Sequence, residues 1–393
     1  MWVSGRRLRP EAETAAALVA AADRDGLDRG AYDAGGLRRK LAAARSGNPA
    51  ALAQAELALS TAVSDYLADL HRAPASAAPQ FWDPAVPLPP ITPAQALDAL
   101  AGPGGLAAKL AALQRMHPIY AALRDALAAD RAAHPGGSPR QDLILANMAR
   151  ARALPADPGR RYVLVDAAAQ RLWLYEDGRP VDSMRVIVGR ADNQTPTLTG
   201  LIRYADFRPY WNIPPDIVAK EIAPHVLREG PGYLARQDLE ALSDWSPQAR
   251  VLDPAEVDWS AVAAGAQELR MRRRPGATNI LGQVKLMLPN TLGIYLHDTP
   301  DKSPFSRAQR TISHGCIRLE HAMRLTRALV GPAADNPPPG DDVRVDLPKP
   351  VPVYVLYLTL APGPDGLEAR RDVYGRDAPL IATLKRSDRA MAD

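Results

Sequence analysis

"RYVLVDAAAQRLWLYEDGRPVDSMRVIVG", Arg161 to Gly189, is where the sequence changes period. Apolar residues alternate with polar ones and Val, Leu, Trp and Tyr dominate, the pattern of strands that bury one face. Asp177-Gly178 tolerates the positive φ angles of a tight turn, so the runs on either side read as a hairpin. A mainly β domain starts here.

Further along, "VKLMLPNTLGIYLH" supplies two more strands across a Pro-Asn turn, the second ending at His297. "GDDVRVDL" and then "VPVYVLYLTLA" and "LEARRDVYG", joined by "PGPDG", extend the β character to about Gly375 and predict a C-terminal hairpin over 351–375. Between the strands lies an insert of about 214–275, helical and then irregular, which suits a lid over a site or plain decoration. A tail follows over 376–393.

Upstream the period is helical. "NPAALAQAELALSTAVSDYLADLH" places Leu52, Leu59, Val63, Tyr66 and Leu70 on one face, with Asn48 before Pro49 as its start. "PEAETAAALVAAADRDGLD" precedes it and meets a stop signal at Gly26. A proline-rich stretch over about 73–93 excludes regular helix and reads as an extended connector. A second helical set begins at Thr92-Pro93. The expected architecture is α+β, with a helical scaffold over 1–155 and a β domain over 160–375.

Composition narrows the function. The 393 residues carry a formal net charge of +4, spread along the chain, so nucleic acid is not demanded. No segment has the apolar length to span a membrane. The start, "MWVSGRRLRPEAE", lacks the apolar stretch of a secretory signal, which leaves a cytosolic protein or a targeting segment outside this sequence.

The single cysteine, Cys316, permits no internal disulfide and rules out a multi-cysteine zinc site, leaving an inert or a reactive thiol. It stands in "RTISHGCIRLEHA", Arg310 to Ala322. Gly315 before it lets a substrate carbonyl approach the backbone. A helix expected from about Leu319 would aim N–H groups and its positive end at the sulfur, lowering the thiol pKa and forming an oxyanion hole in the same turn. His314 is too close along the chain to reach back easily. His297, at a strand end 19 residues upstream (316 − 297), is the better base. His297, His314 and His321 share no ligand spacing with a carboxylate, so no metal is expected.

His297 followed by "SHGCIR" at Ser313 to Arg318 resembles the signature of the L,D-transpeptidases with the YkuD-type fold. The strands from Arg161, "TPTLTGLIRYADFRPYWNIPPDIVAKEI", "GPGYLAR" and "LGQVKLMLPN" resemble in order the long Gram-negative branch of that family; the N-terminal helices resemble its scaffold domain more loosely. The resemblance implies Cys316 as nucleophile and His297 as base, oriented through a backbone carbonyl rather than by the Asp298 carboxylate. It implies an oxyanion hole from the backbone of His314, Gly315 and Cys316, and a capping subdomain at the insert. Arg318, where other branches often have asparagine, suits a substrate carboxylate; Ser313, Tyr295, Tyr210, Trp211 and Asn212 complete the expected substrate contacts. The implied reaction joins peptidoglycan stem peptides, donor and acceptor, through a thioester, without cofactor, metal or nucleic acid. Carbapenems are the expected inhibitors and the periplasm or cell envelope the expected location. Water in place of the acceptor amine would give a carboxypeptidase or an enzyme releasing attached proteins; a non-enzymatic wall-binding scaffold is a third reading. Long members commonly carry a separate peptidoglycan-binding module, and no segment between the helices and Arg161 reads as one. Relatives without it attack the L-alanine carbonyl and give 1,3 rather than 3,3 cross-links, so both products stay open.

Overall fold

The change of period at Arg161 is a change of architecture in the computed structural model, which describes residues 1–89 and 91–390. Pro90 of the connector and residues 391–393 of the tail lie outside these. Two short strands, β1 (Val3–Ser4) and β2 (Arg7–Leu8), pair ahead of the first helix, Pro10–Ala20. Helices Ala34–Ala44, Pro49–His71, Pro93–Ala101, Leu106–Leu113, Pro118–Ala133 and Pro139–Ala151 follow. Their ends obey local chemistry. Asn48 accepts from the N–H groups of Ala50 and Ala51, and Thr92 and Gln95 form a capping box. Gly26, at φ +67°, ends the short turn that follows the first helix, a conformation that glycine adopts without a Cβ penalty.

The expected stripe of Leu52, Leu59, Val63, Tyr66 and Leu70 is buried against Trp2, Tyr120 and Leu123. The connector is not free-standing: its Phe81–Trp82 forms β3, which pairs in parallel with the strand at Leu198.

The β domain contains β4 (Arg161–Asp166), β5 (Arg171–Glu176), β6 (Arg179–Gly189) and β7 (Leu198–Phe207). Asp177 and Gly178, both at positive φ, turn β5 into β6. The insert follows with β8 (Trp211–Ile213), β9 (Leu239–Leu242) and β10 (Arg270–Arg273), which form a sheet of their own. They pack with its helices around Val218, Trp259 and Met271. The insert is thus a small subdomain with its own core, rather than helices trailing into irregular chain.

The main sheet resumes with β11 (Val284–Met287), β12 (Leu296–His297), β13 (Thr311–Ser313) and β14 (Ile317–Leu319), then β15 (Val343–Leu356). Its order is β11-β12-β14-β6-β5-β4-β15-β7-β3, and β11 also pairs with β7, so the sheet closes on itself. Helix Ala322–Val330 buries Leu325 and Leu329 against Leu296, Ile317 and Val186.

The C-terminal part differs from expectation. "VRVDL" and "VPVYVL" are one 14-residue strand, bent where its register with β7 shifts between Asp346 and Val351. The hairpin is only β16 (Leu360–Gly363) with β17 (Gly366–Ala369). Beyond it the tail is helical over Asp377–Ala390 and lays Leu380 against Ala146.

One polar seam ties helix Pro139–Ala151 to this end of the β domain. Fully buried Asn147 donates to Thr359 Oγ1 at 3.0 Å and accepts from the Thr359 N–H at 2.8 Å, while Arg150 reaches Asp377 at 2.6 Å. Removing one partner strands buried polar groups on the other. Asn147→Ala should therefore cost about 2–3 kcal/mol, read as a lowered urea midpoint for both spectroscopic signals of helix and sheet together.

Candidate active site

The two strands that build the site are very short, and they run parallel. Leu296 pairs with Ile317 and His297 with Arg318, and the Ile317 N–H donates to the Tyr295 carbonyl at 3.1 Å. Side chains alternate along a strand, so the fully buried Leu296 and Ile317 face the core. Tyr295 and His297, with Cys316 and Arg318, face the opposite side. Tyr295 is thereby level with Cys316, and His297 is one step further along.

The turn before Cys316 is braced twice. Ser313 Oγ donates to the Cys316 carbonyl at 2.6 Å and accepts from the Gly315 N–H at 3.2 Å. Thr195 Oγ1 donates to the Gly315 carbonyl at 2.8 Å and accepts from the Gly189 N–H at 2.8 Å. Gly315 sits at φ +110°, where a side chain would be strained and its Cβ would press on Ile294 at 3.3 Å.

These bonds correct three expectations. The helix expected from about Leu319 starts only at Ala322, and β14 lies between it and the cysteine. The Gly315 N–H, expected among the oxyanion donors, donates to Ser313 Oγ in this structure. The N–H groups of His314 and Cys316 donate to no protein acceptor among the described residues. Ser313, only 2% exposed, holds the turn and does not line a substrate surface.

His297 is 3% exposed, and its Nδ1–H donates to the Asp298 carbonyl at 2.5 Å, leaving Nε2 as the acceptor. The Asp298 carboxylate is engaged elsewhere, by Lys302 at 2.6 Å and by the Gln283 N–H at 2.9 Å. Burial, reinforced by the Arg318 charge, pushes the imidazole down to about 3. Cys316 is half-buried and its thiol donates to the Gly293 carbonyl at 3.6 Å. Burial pushes that thiol up; hydrogen bonds from Tyr295 and the charges of Arg318 and Lys285 oppose the rise without cancelling it. Both shifts favour the uncharged thiol and the uncharged imidazole.

Arg318 is half-buried, with its Nε lacking a partner among the described residues. Tyr210, Trp211 and Asn212 lie at the root of the capping subdomain. Asn212 and Trp211 pair with Arg272 and Arg273, whose guanidinium groups stand 4.1 Å over Tyr210 and 5.7 Å over Trp211. These stacking and pairing contacts lie within the cap. His321 is half-exposed beside Glu320, and no cluster of metal-ligating side chains occurs among the described residues. Lys285 and Asp206 are the site residues that sequence reasoning missed. The available signal was a lysine inside the apolar run "VKLML".

Residues 160–347 match the family model of the YkuD L,D-transpeptidase catalytic domain, and residues 1–127 match the scaffold domain model. A Haemophilus influenzae protein named "Putative L,D-transpeptidase" is 28% identical over 229 residues, which is 56% of this chain and 45% of that protein. The chain thus spans less than half the length of that curated relative. An L,D-transpeptidase structure from Mycobacterium smegmatis aligns with 50% of this chain and 58% of its own at 15% identity, TM-score 0.26. L,D-transpeptidase 3 from Mycobacterium tuberculosis, solved with a faropenem-derived adduct, aligns with 50% and 60% at 14% identity, TM-score 0.24.

The neutral pair has a signature. A raised thiol pKa means that thiolate accumulates only at alkaline pH, so iodoacetamide should alkylate Cys316 slowly at pH 6–7 and about tenfold faster per pH unit up to at least pH 9. A rate already maximal at pH 6 would mean a thiolate–imidazolium pair instead.

Proposed function

We propose that this chain, whose residues 160–347 form an L,D-transpeptidase catalytic domain behind a scaffold domain, is a cysteine-dependent acyltransferase that cross-links peptidoglycan stem peptides. The observation that carries the proposal is the parallel register of β12 and β14, which sets His297 and Cys316 on one face of the sheet beside two unspent N–H groups.

Cys316 Sγ attacks the carbonyl on the L-centre of the donor's diamino acid while His297 Nε2 takes the thiol proton. The N–H groups of His314 and Cys316 hold the oxyanion. Collapse breaks the amide bond, the imidazolium gives its proton to the departing amine, and the terminal D-residue leaves. The acyl group stays on sulfur as a thioester. An amine of a second stem then attacks, giving its proton to His297; collapse returns the thiol and leaves an amide between the stems. The cleaved peptide bond supplies the acyl group, so the reaction draws on no nucleotide. A carbapenem would open on the same sulfur and stop at the acyl stage. Since the substrate is wall polymer, the proposed place of action is the periplasm.

The test is to incubate the protein with a disaccharide tetrapeptide, alone and with a shorter acceptor, and to sequence the products by tandem mass spectrometry. Dimers are expected; those joined through the diamino acid carbonyl would make it a 3,3 enzyme. Dimers joined through L-alanine would make it a 1,3 enzyme, and shortened monomers alone would make it a hydrolase.

Substitutions separate the roles. Cys316→Ala should abolish turnover and carbapenem adduct formation with the fold unchanged. His297→Ala should slow acylation by about 100-fold or more, the usual weight of a general base. His314→Ala should cost much less, since its backbone and not its imidazole is used; intact-mass time courses give the rates.

A further inference from the structure

His297 does not stand alone in its row of the sheet. Across β14 it faces Arg318, and across β11 it faces Lys285; Lys285 in turn faces Asp206 on β7, and Asp206 faces Arg344 on β15. Residues directly opposite one another share a face, with strands about 4.8 Å apart. The row therefore reads Arg318, His297, Lys285, Asp206, Arg344, with the imidazole between two cations. Lys285 is not a surface lysine extended into water. Its side chain is 13% exposed, its Nζ lies 3.1 Å from Asp206 Oδ2, and it stands 5.6 Å from the centre of the Tyr295 ring. The Asp206 side chain is 11% exposed. The other groups near His297 are the Tyr295 ring on its own strand, the Asp298 carbonyl that accepts from Nδ1–H, and the Asp298 carboxylate, whose charge acts in the opposite sense to Lys285 and Arg318.

We propose that Lys285, anchored by Asp206, is a positioning residue that keeps an ammonium beside His297 and so holds the imidazole in its unprotonated, proton-accepting form. The inference rests on His297 being the base. Protonating His297 would put three cations in adjacent places of the row, with the Asp206 and Asp298 carboxylates as the neighbouring counter-charges, and the repulsion from Arg318 and Lys285 disfavours the imidazolium. The field that disfavours imidazolium also favours negative charge on Cys316, which both Lys285 and Arg318 feel. It serves the second half of acylation as well. An imidazolium held between cations is a strong acid, suited to protonating the departing amine as the thioester forms. Asp206 fixes the ammonium in place without neutralising its effect on the imidazole, since it sits on the far side of the lysine.

A plain structural salt bridge is the alternative, and it makes a different prediction. The test follows acylation of the full chain by a carbapenem from pH 2 to 9, by intact mass, with circular dichroism to monitor folding and NMR titration of the His297 ring. Lys285→Met should move the acid-side midpoint of acylation, and the His297 titration, upward, by less than burial and Arg318 hold it down. Lys285→Arg should keep the wild-type profile. Asp206→Asn/Lys285→Met should behave like Lys285→Met, with no carboxylate left buried and unpaired. A Lys285→Met midpoint equal to wild type, or a uniform loss at every pH that Lys285→Arg fails to rescue, would overturn the proposal. If the wild-type chain formed no adduct on Cys316, the proposed function would fall. The His297 titration of the variants would still decide whether Lys285 controls that ring.

Discussion

The site depends on one short parallel pairing, Leu296 with Ile317 and His297 with Arg318. Two residue pairs are too few to hold themselves together, and they do not have to. β11 flanks β12 on one side and β6 flanks β14 on the other, so the pairing is clamped inside a sheet that closes through β11 and β7. The core fixes its register: Leu296 and Ile317 are fully buried, and a slip of one residue would turn them outward and bury Cys316 and Arg318 in their place. The chemistry on one face is thus held by the apolar packing on the other.

Burial decides the protonation states there. The same enclosure raises the Cys316 thiol and lowers the His297 imidazole, and both changes favour the uncharged partner. For His297 the fall from an ordinary 6.5 to about 3 corresponds to roughly 5 kcal/mol against the imidazolium. The nearby cations act unequally on the two groups, helping the thiolate and opposing the imidazolium. A standing thiolate–imidazolium pair is therefore disfavoured on both sides.

The legible parts of the sequence were those set by neighbours along the chain. Asp177-Gly178 gave the hairpin, Asn48 and Thr92 the helix starts, and the apolar stripe of Pro49–His71 the buried face of the longest helix. The motif around Cys316 marked the right strands. The errors arose where distant residues decide. "LEHAMRLTRALV" fits a helix from about Leu319, but pairing with β6 and β12 keeps Ile317–Leu319 extended and the helix begins at Ala322. The Gly315 N–H is a free donor until the Ser313 hydroxyl turns under it. The sheet of the capping subdomain needs β8 and β10 to meet across nearly the whole insert. Lys285 and Asp206 become neighbours only through the pairing that closes the sheet.

The helical and β parts are more intergrown than their matched family segments suggest. β3 comes from the connector between helices yet hydrogen-bonds to β7, and Leu360 of the terminal hairpin is buried in the core built around Trp2 and Tyr66. Helix Pro139–Ala151 is joined to the chain at Thr359 and Asp377 through Asn147 and Arg150. A piece excised at residue 160 would carry a stripped sheet edge, a naked leucine and orphaned polar groups. The catalytic part is consequently no portable cassette: in any recombination or domain exchange, the helices and the hairpin that reaches into them have to travel together.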